Sequence, residues 1–338
     1  MMTVVGLSIP EVFILKKCFR RVYNTNMKAI RIQEYGGLDV LKYEDAPVPS
    51  FGADEILIKV HSAGVNPIDW KVREGELKDI RPYTMPIILG WEVSGIVEEV
   101  GALVGRFKIG DKVYSKLDMI REGGYAEYVG VKSYDVAHAP KSIPLEQSAG
   151  IPLACQTAWT ALFDKGNLKK GQSVLIHAAS GGVGHFATQL AKAVGAKVIA
   201  TTSSSNIDSV KSLGADIVID YKSEDFSEKV KDMDVVLDTI GGDTRARSWQ
   251  CLRKDGVMVS VVARVEPFDP EMIKKHNVRA EGVAIVSNGA RLQEISNLVD
   301  SGKLKVVIAK EFLLKDVKEA HKMSESGHTH GKIILRVS

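Results

Sequence analysis

The sequence predicts a two-domain α/β protein, and three observations carry that prediction. Its 338 residues exceed the roughly 250–300 at which a single hydrophobic core stops growing. Its first part is built of short β-rich runs broken by Gly and Pro, and from Glu146 onward apolar strands alternate with helical stretches. A glycine-rich loop, Ala178-Ala179-Ser180-Gly181-Gly182-Val183-Gly184, follows the first of those apolar strands. The hydrophobic fraction of 45% is that of a soluble globule, which argues against disorder, collagen and a membrane-embedded chain. A formal charge of +3, spread along the chain, leaves no electrostatic footprint for nucleic acid.

Residues 1–26 stand apart. Val4 to Leu15 is mostly apolar and is followed by Lys16, Lys17, Arg20 and Arg21, the reverse of the order in a secretory signal. Several basic residues with a single acid, Glu11, fit a mitochondrial presequence. The simpler expectation is an overextended start, with Met27 as the working first residue. Cys18, Cys155 and Cys251 are far apart and form no CxxC, so no disulfide framework is expected. A reducing compartment follows, the cytoplasm, or the mitochondrial matrix if residues 1–26 are a presequence.

Residues 27–145 read as a mostly antiparallel barrel. Met27-Lys28-Ala29-Ile30-Arg31-Ile32 starts an alternating strand; Glu55 to Val60, Glu92 to Val100, Asp111 to Tyr114 and Tyr125 to Val131 are further β-rich runs between turn residues. Residues 146–286 carry five apolar strands: Ser173 to His177, Lys197 to Thr201, Ile217 to Asp220, Val235 to Asp238 and Val257 to Val261. Helical stretches fit between them, the signature of βαβ units and a parallel sheet. Their lack of polar alternation is expected where helices cover both faces. A sixth strand, Val278 to Ile285, belongs at the sheet edge. In residues 287–338 a helix from Ala290 to Asp300 precedes short strands ending at Ile333-Ile334-Leu335, a tail expected to return to the first domain.

The glycine loop supplies the first chemistry. A strand entering a helix through such a loop aims backbone N–H groups and the positive end of the helix dipole at a pyrophosphate. Gly181 lets the backbone approach the phosphates, and Gly184 lets the helix pack on the sheet. Ala179 stands where the usual first glycine would be. An NAD site places an Asp or Glu about 20 residues on, against the ribose 2′-OH. Here the second strand ends Thr201-Thr202-Ser203-Ser204-Ser205, with no acid between Gly184 and Asp208. Hydroxyls donate to a 2′-phosphate that a carboxylate would repel. Ser203 and Ser204 are the candidate donors, with Tyr221 and Lys222 beside them, and NADPH is the expected cofactor.

An ordered set of segments then carries a resemblance. These are Gly64-Val65-Asn66-Pro67-Ile68-Asp69, Leu89-Gly90-Trp91-Glu92-Val93-Ser94-Gly95-Ile96-Val97, Gly110-Asp111-Lys112-Val113 and Gly123-Gly124-Tyr125-Ala126-Glu127-Tyr128. The Ile151-Pro152-Leu153 to Thr157-Ala158-Trp159 helix, the glycine loop and His328-Thr329-His330-Gly331-Lys332 complete it. From Met27 onward the chain resembles the zinc-free NADPH:quinone oxidoreductases of the medium-chain dehydrogenase/reductase (zinc-type alcohol dehydrogenase-like) superfamily. The resemblance implies a GroES-like β-barrel domain, a Rossmann-fold doubly wound parallel-sheet cofactor domain, NADPH in the cleft and commonly a homodimer joined through sheet edges. By matching position it implies Ser180, Gly181, Gly182 and Val183 on the pyrophosphate, and Ser203 and Tyr221 near the 2′-phosphate. Thr239 follows the fourth strand; Val261 and Val262, after the fifth, run beside the nicotinamide; His328, Thr329 and His330 reach the cofactor. His328 and His330 share one strand face, but no third ligand accompanies them as a metal site.

Zinc-dependent relatives carry a catalytic Cys and His in the first domain and a lobe of four closely spaced Cys. Asn66 and Trp91 stand at the first two positions, Cys155 is offset from the third ligand, and Val113 to Tyr125 contains no cysteine. No zinc site is expected, and with it no alcohol oxidation through a zinc alkoxide. Hydride delivery to an already electrophilic small molecule, a quinone or an α,β-unsaturated carbonyl, remains the expected reaction. Asn66, Asp69 and Lys71 are the candidate polar groups at the acceptor. Lys71 or the Asn66 amide would donate to a developing oxyanion and Asp69 would orient the lysine, while bracing of the turn at Pro67 is the competing role for Asn66 and Asp69. A non-catalytic NADPH-binding protein is the alternative function.

Overall fold

The computed structural model describes residues 26–337. The expectations for the N-terminal segment, and Cys18 with them, lie outside the described residues, apart from Asn26. The first strands are β1 (Asn26–Ile32), β2 (Lys42–Pro47), β3 (Glu55–Val65), β4 (Ile87–Ile88), β5 (Glu92–Val100), β6 (Lys112–Lys116), β7 (Tyr128–Lys132) and β8 (Val136–His138). β3 is their hub: it pairs antiparallel with β5 and with β7, and β5 continues through β6 to β8. β2, β1 and β4 form a second, three-stranded layer. Ile30, Ile32, Ile56, Ile58, Val60, Val93 and Val97 fill the space between, each fully buried. These residues alternate along their strands, as period-two side-chain direction requires.

The second unit is one parallel sheet of β9 (Ser173–Ile176), β10 (Lys197–Thr202), β11 (Ile217–Asp220), β12 (Met233–Asp238), β13 (Leu252–Ser260) and β14 (Arg279–Gly282). Its spatial order is β11-β10-β9-β12-β13-β14, so the strand order reverses between β9 and β12. In such a sheet the ligand crevice opens at the carboxyl ends of the strands at that reversal. Val174, Ile176, Val198, Val235 and Leu237 pack to one face, and Leu175, Ile199, Ile219, Val236 and Met258 to the other. That is why these strands read as unbroken apolar runs. The edge strand is shorter than the sequence suggests, because its partner β13 ends at Ser260.

The helix Gly289–Asp300 packs on β8, where Ser296 donates to the His138 carbonyl, and its Leu292, Ile295 and Val299 join a core shared with residues of the cofactor domain. The chain then rejoins the first sheet through β15 (Ile308–Leu313) and β16 (Lys332–Arg336). β16 pairs antiparallel with β3, placing Ile333 opposite Val65 and Ile334 opposite Gly64. The last strand thus runs directly beside the segment that leads into Asn66. No helix among the described residues is long and apolar enough to cross a membrane.

Candidate active site

The glycine loop lies between β9 and the ten-residue helix Gly184–Ala193. A Cβ on Gly184 would sit 2.2 Å from the Ala178 carbonyl oxygen and 2.7 Å from Ala179 Cα. Both are backbone atoms, so only glycine allows this helix–strand approach. The turn is completed by Ala178 itself, which takes φ 48°. The N–H groups of Gly182 and Val183 have no acceptor among the described residues and lie at the positive end of the helix. The loop is therefore a fitting cradle for a pyrophosphate. His185 closes its underside, its Nδ1 2.9 Å from the Gly181 carbonyl. Burial holds this imidazole down at about 3, so it is neutral at physiological pH.

The loop is tied to the end of β10. Ser180 Oγ accepts from the Thr202 hydroxyl at 2.9 Å and from the Asn206 amide at 3.3 Å, and the same amide reaches Ser203 Oγ at 3.1 Å. Ser203 and Ser205 hydroxyls lie 3.1 Å apart. Ser204 is exposed at the start of a short 3-10 turn, and Tyr221 is exposed just beyond β11. The nearby acid, Asp220, is engaged in its own turn by the Lys222 N–H and the Ser223 hydroxyl. Hydroxyl and amide groups therefore face the ribose end of the crevice. Asn206 was not among the residues singled out from the sequence; it lies three residues beyond Ser203, inside a short turn.

On the opposite side of the reversal, Thr239 donates to the His177 carbonyl at 2.9 Å. Its turn is held by Asp238, which accepts from Gly241 N–H at 2.7 Å and Arg245 Nε at 2.8 Å. Burial works to raise the Asp238 carboxyl, but these donors outweigh it and hold the group below its ordinary range. Val261 and Val262 follow β13 and are half-buried. From the other domain, Gly331 N–H donates to the Ser180 carbonyl at 2.8 Å, and His330 Nε2 lies 3.0 Å from Ser209 Oγ. Thr329 and His328 are turned back onto Met323 and Ser326.

The acceptor-side candidates divide. Asn66 and Asp69 are buried, whereas Lys71 points elsewhere: its Nζ lies 3.3 Å from Glu76 and 5.2 Å from the Trp70 ring. The expected orientation of Lys71 by Asp69 is thus corrected. Asp69 is at the third position of the helix Pro67–Glu74, facing inward, and Lys71 is two residues on, a spacing that separates helical side chains. Asp69 Oδ2 instead accepts from the Asn66 N–H at 2.8 Å and the Tyr125 hydroxyl at 2.7 Å. Burial pushes this carboxyl up to about 7 despite those two donors.

The buried cation beside Asn66 is Lys332. Its Nζ lies 2.5 Å from Asn66 Oδ1 and 2.7 Å from Glu92 Oε1. Glu92 also accepts from Asn66 Nδ2 at 2.8 Å and, on its other oxygen, from Leu153 N–H at 2.7 Å. Both charges stand at the first position of their strands, β5 and β16. Trp91, next to Glu92, is fully buried with its indole N–H 3.4 Å from the Arg121 carbonyl. Cys155 is fully buried, and burial raises its thiol far above the ordinary range. Among the described residues no group of three or more His, Cys, Asp or Glu is arranged to hold a metal ion.

Residues 52–141 match the alcohol dehydrogenase GroES-like domain, and residues 213–335 match the family described as zinc-binding dehydrogenase. The mitochondrial NAD(P)H oxidoreductase RTN4IP1 of Danio rerio is 33% identical, over 94% of this chain and 93% of that protein. The chain belongs to the quinone oxidoreductases of the medium-chain dehydrogenase/reductase superfamily. The chloroplastic NADPH-dependent alkenal/one oxidoreductase of Arabidopsis thaliana is 35% identical to it, over 91% of this chain and 79% of that protein. Among solved structures, the quinone oxidoreductase from Coxiella burnetii superposes with a TM-score of 0.85 at 38% identity, covering 93% of this chain and 100% of that one. A mycobacterial relative solved in complex with NADPH superposes at 0.83 with 30% identity, over 92% of this chain and 100% of that one. This member of the family is accordingly an oxidoreductase, with a GroES-like barrel beside a Rossmann-type sheet and a site for a nicotinamide cofactor.

Proposed function

We propose that this oxidoreductase reduces quinones or α,β-unsaturated carbonyls by hydride transfer from NADPH, without zinc. One observation carries the cofactor reading: β10 is followed by Ser203, Ser204, Ser205 and Asn206, and the nearby carboxylate, Asp220, is taken up by its own turn. When bound, the cofactor supplies the hydride, and the protein contributes binding, orientation and electrostatics. Ser180, Gly181, Gly182 and Val183 hold the pyrophosphate; Ser203, Ser204 and Tyr221 receive the 2′-phosphate. Thr239, Val261 and Val262 border the nicotinamide, and the segment from His328 to His330 covers the cofactor.

On the acceptor side, Lys332 holds Asn66 Oδ1 and Glu92 takes one of the two Nδ2 hydrogens, which leaves the other for the acceptor oxygen. Asn66 also shapes the surface beside the acceptor, with Asp69 closing the turn beneath it. A zinc-independent reaction is supported by the donor set, since Asn66 and Trp91 offer a metal an amide and an indole where thiolate and imidazole are required. Activated acceptors follow, because they need no Lewis acid to take a hydride. In this reading residues 27–145 with 287–338 form the acceptor-side domain and 146–286 the cofactor domain. A homodimer would join at the free edge of β14, in the cytoplasm or the mitochondrial matrix. The deciding experiment follows the oxidation of NADPH and of NADH by absorbance across a panel of quinones and enones. Turnover with NADPH and little with NADH is expected; equal rates would refute the 2′-phosphate argument.

A further inference from the structure

Glu92 and Lys332 form an ion pair inside the protein, with side chains 0% and 3% exposed. Removing two charges from water is costly, and such pairs are often no more stable than apolar replacements. Stability alone therefore does not account for it. What the pair does is fix Asn66. A lysine ammonium only donates and a carboxylate only accepts. With Lys332 on Oδ1 and Glu92 on Nδ2, the Asn66 amide has one orientation. A third Lys332 contact, 3.3 Å to the Val65 carbonyl, holds the backbone just before Asn66.

The aliphatic stem of Lys332 lies against the cofactor loop at Gly182 and against Gly150. A Cβ on Gly182 would stand 3.3 Å from Lys332 Cδ, and one on Gly150 would stand 3.1 Å from Lys332 Cβ. Gly331, immediately before it, donates to Ser180. Glu92 has been given room in the same way, since a Cβ on Gly64 would lie 2.2 Å from its Oε1. One side chain thus touches the pyrophosphate loop with its stem and the amide of Asn66 with its ammonium. We propose that Lys332 is a positioning residue that ties the glycine loop to the Asn66 turn and so sets the acceptor surface against the bound nicotinamide. The inference rests on the NADPH reading above and adds the part that joins the two halves of that site.

The test compares the wild type with the double variant Lys332→Met/Glu92→Gln, which removes both charges and leaves neither buried alone. Its NADPH Kd, from titration of nicotinamide fluorescence, is expected within about twofold of wild type, because the pyrophosphate and 2′-phosphate groups are untouched. Its kcat with a quinone is expected to fall about 10–100-fold at little-changed KM, the scale of a small misplacement of reacting groups. The emission maximum of bound NADPH should move toward that of free NADPH. Lys332→Arg is the second variant: a planar guanidinium cannot meet the three acceptors as an ammonium does, and the same split is expected. Variants with unchanged emission and kcat within about twofold would overturn the inference. If wild-type protein binds NADPH but reduces no acceptor, the reductase reading fails, while the emission comparison still decides the role of Lys332. If wild-type protein does not bind NADPH, the reading and the inference fall together.

Discussion

Asp69 gives the sharpest thermodynamic prediction. Its carboxyl is enclosed by Tyr125, the Asn66 N–H, Glu92 and Lys332, with Oδ1 lacking any hydrogen-bond partner among the described residues. Burial is the main cause that raises it from 3.8 to about 7; Glu92 adds to the rise, while Tyr125, the Asn66 N–H and Lys332 oppose it. Between those two values the folded protein keeps the proton and the unfolded chain has lost it. Stability is therefore full below about 3.8, falls as pH rises toward about 7, and is level above. About three pKa units at 1.36 kcal/mol each make this on the order of 4 kcal/mol.

Asp69→Asn removes the titration and keeps an oxygen for both donors. It also puts an NH2 where Oδ1 has no partner, which costs about 1–3 kcal/mol at every pH. The slope, and not the offset, is the diagnostic quantity. Urea unfolding from about pH 5 to pH 8 should show wild type losing roughly 2.5–3 kcal/mol relative to the variant across that range. All other groups titrate in both proteins and cancel in the difference. Parallel stability curves for the two proteins would refute a protonated, buried Asp69.

Other substitutions separate the parts of the site. Gly184→Ala drives a Cβ into the Ala178 carbonyl; a loss of about 2–4 kcal/mol in denaturant unfolding and a much weaker NADPH titration are expected. Ser203→Asp places a carboxylate at the end of β10 and should move the NADPH-to-NADH preference, measured as a ratio of kcat/KM, by at least about tenfold toward NADH. Arg73, fully buried, joins Glu325 at 2.6 Å and His321 at 3.2 Å, linking the helix Pro67–Glu74 to the helix Val317–Glu325. Arg73→Met should cost about 1–3 kcal/mol in denaturant unfolding, since the Gly36 carbonyl and the His321 ring lose a buried donor. Lys71→Ala, which loses a half-buried ion pair with Glu76 and a contact with the Trp70 ring, should change stability by about 1 kcal/mol and leave kcat unchanged.

What could be read from the sequence was whatever depends on neighbours along the chain. The strands β9 to β13 announced themselves because helices on both faces make them apolar throughout, and the glycine loop because its spacing is local. Ser203 was legible for the same reason, as the end of a strand at a fixed distance from Gly184. The acceptor side was not, because its contacts are made between segments far apart. Asn66 and Asp69 were seen as polar residues near a proline, but their partners Glu92, Tyr125 and Lys332 arrive from β5, the turn before β7, and β16. Lys71 is the cation nearest in sequence, yet helical geometry turns it to Glu76 and Trp70 while a strand from the far end of the chain delivers the buried one.

That delivery has a consequence for how the two halves act together. β16 pairs with β3 through Ile333 and Ile334, and the residues just before it bond to the cofactor loop at Ser180 and to Ser209 in the helix Ile207–Ser212. A displacement of the glycine loop is therefore passed to the Asn66 turn through one rigid peptide and one charged side chain, with no flexible linker between. The Asn66 amide cannot relax by flipping, because its two ends face a pure donor and a pure acceptor. A barrel that carried its own lysine to Asn66 would hold the amide equally well but would not register the position of the cofactor. The observed arrangement does, and this is why an internal ion pair of little expected benefit to stability has a place at the junction of the domains.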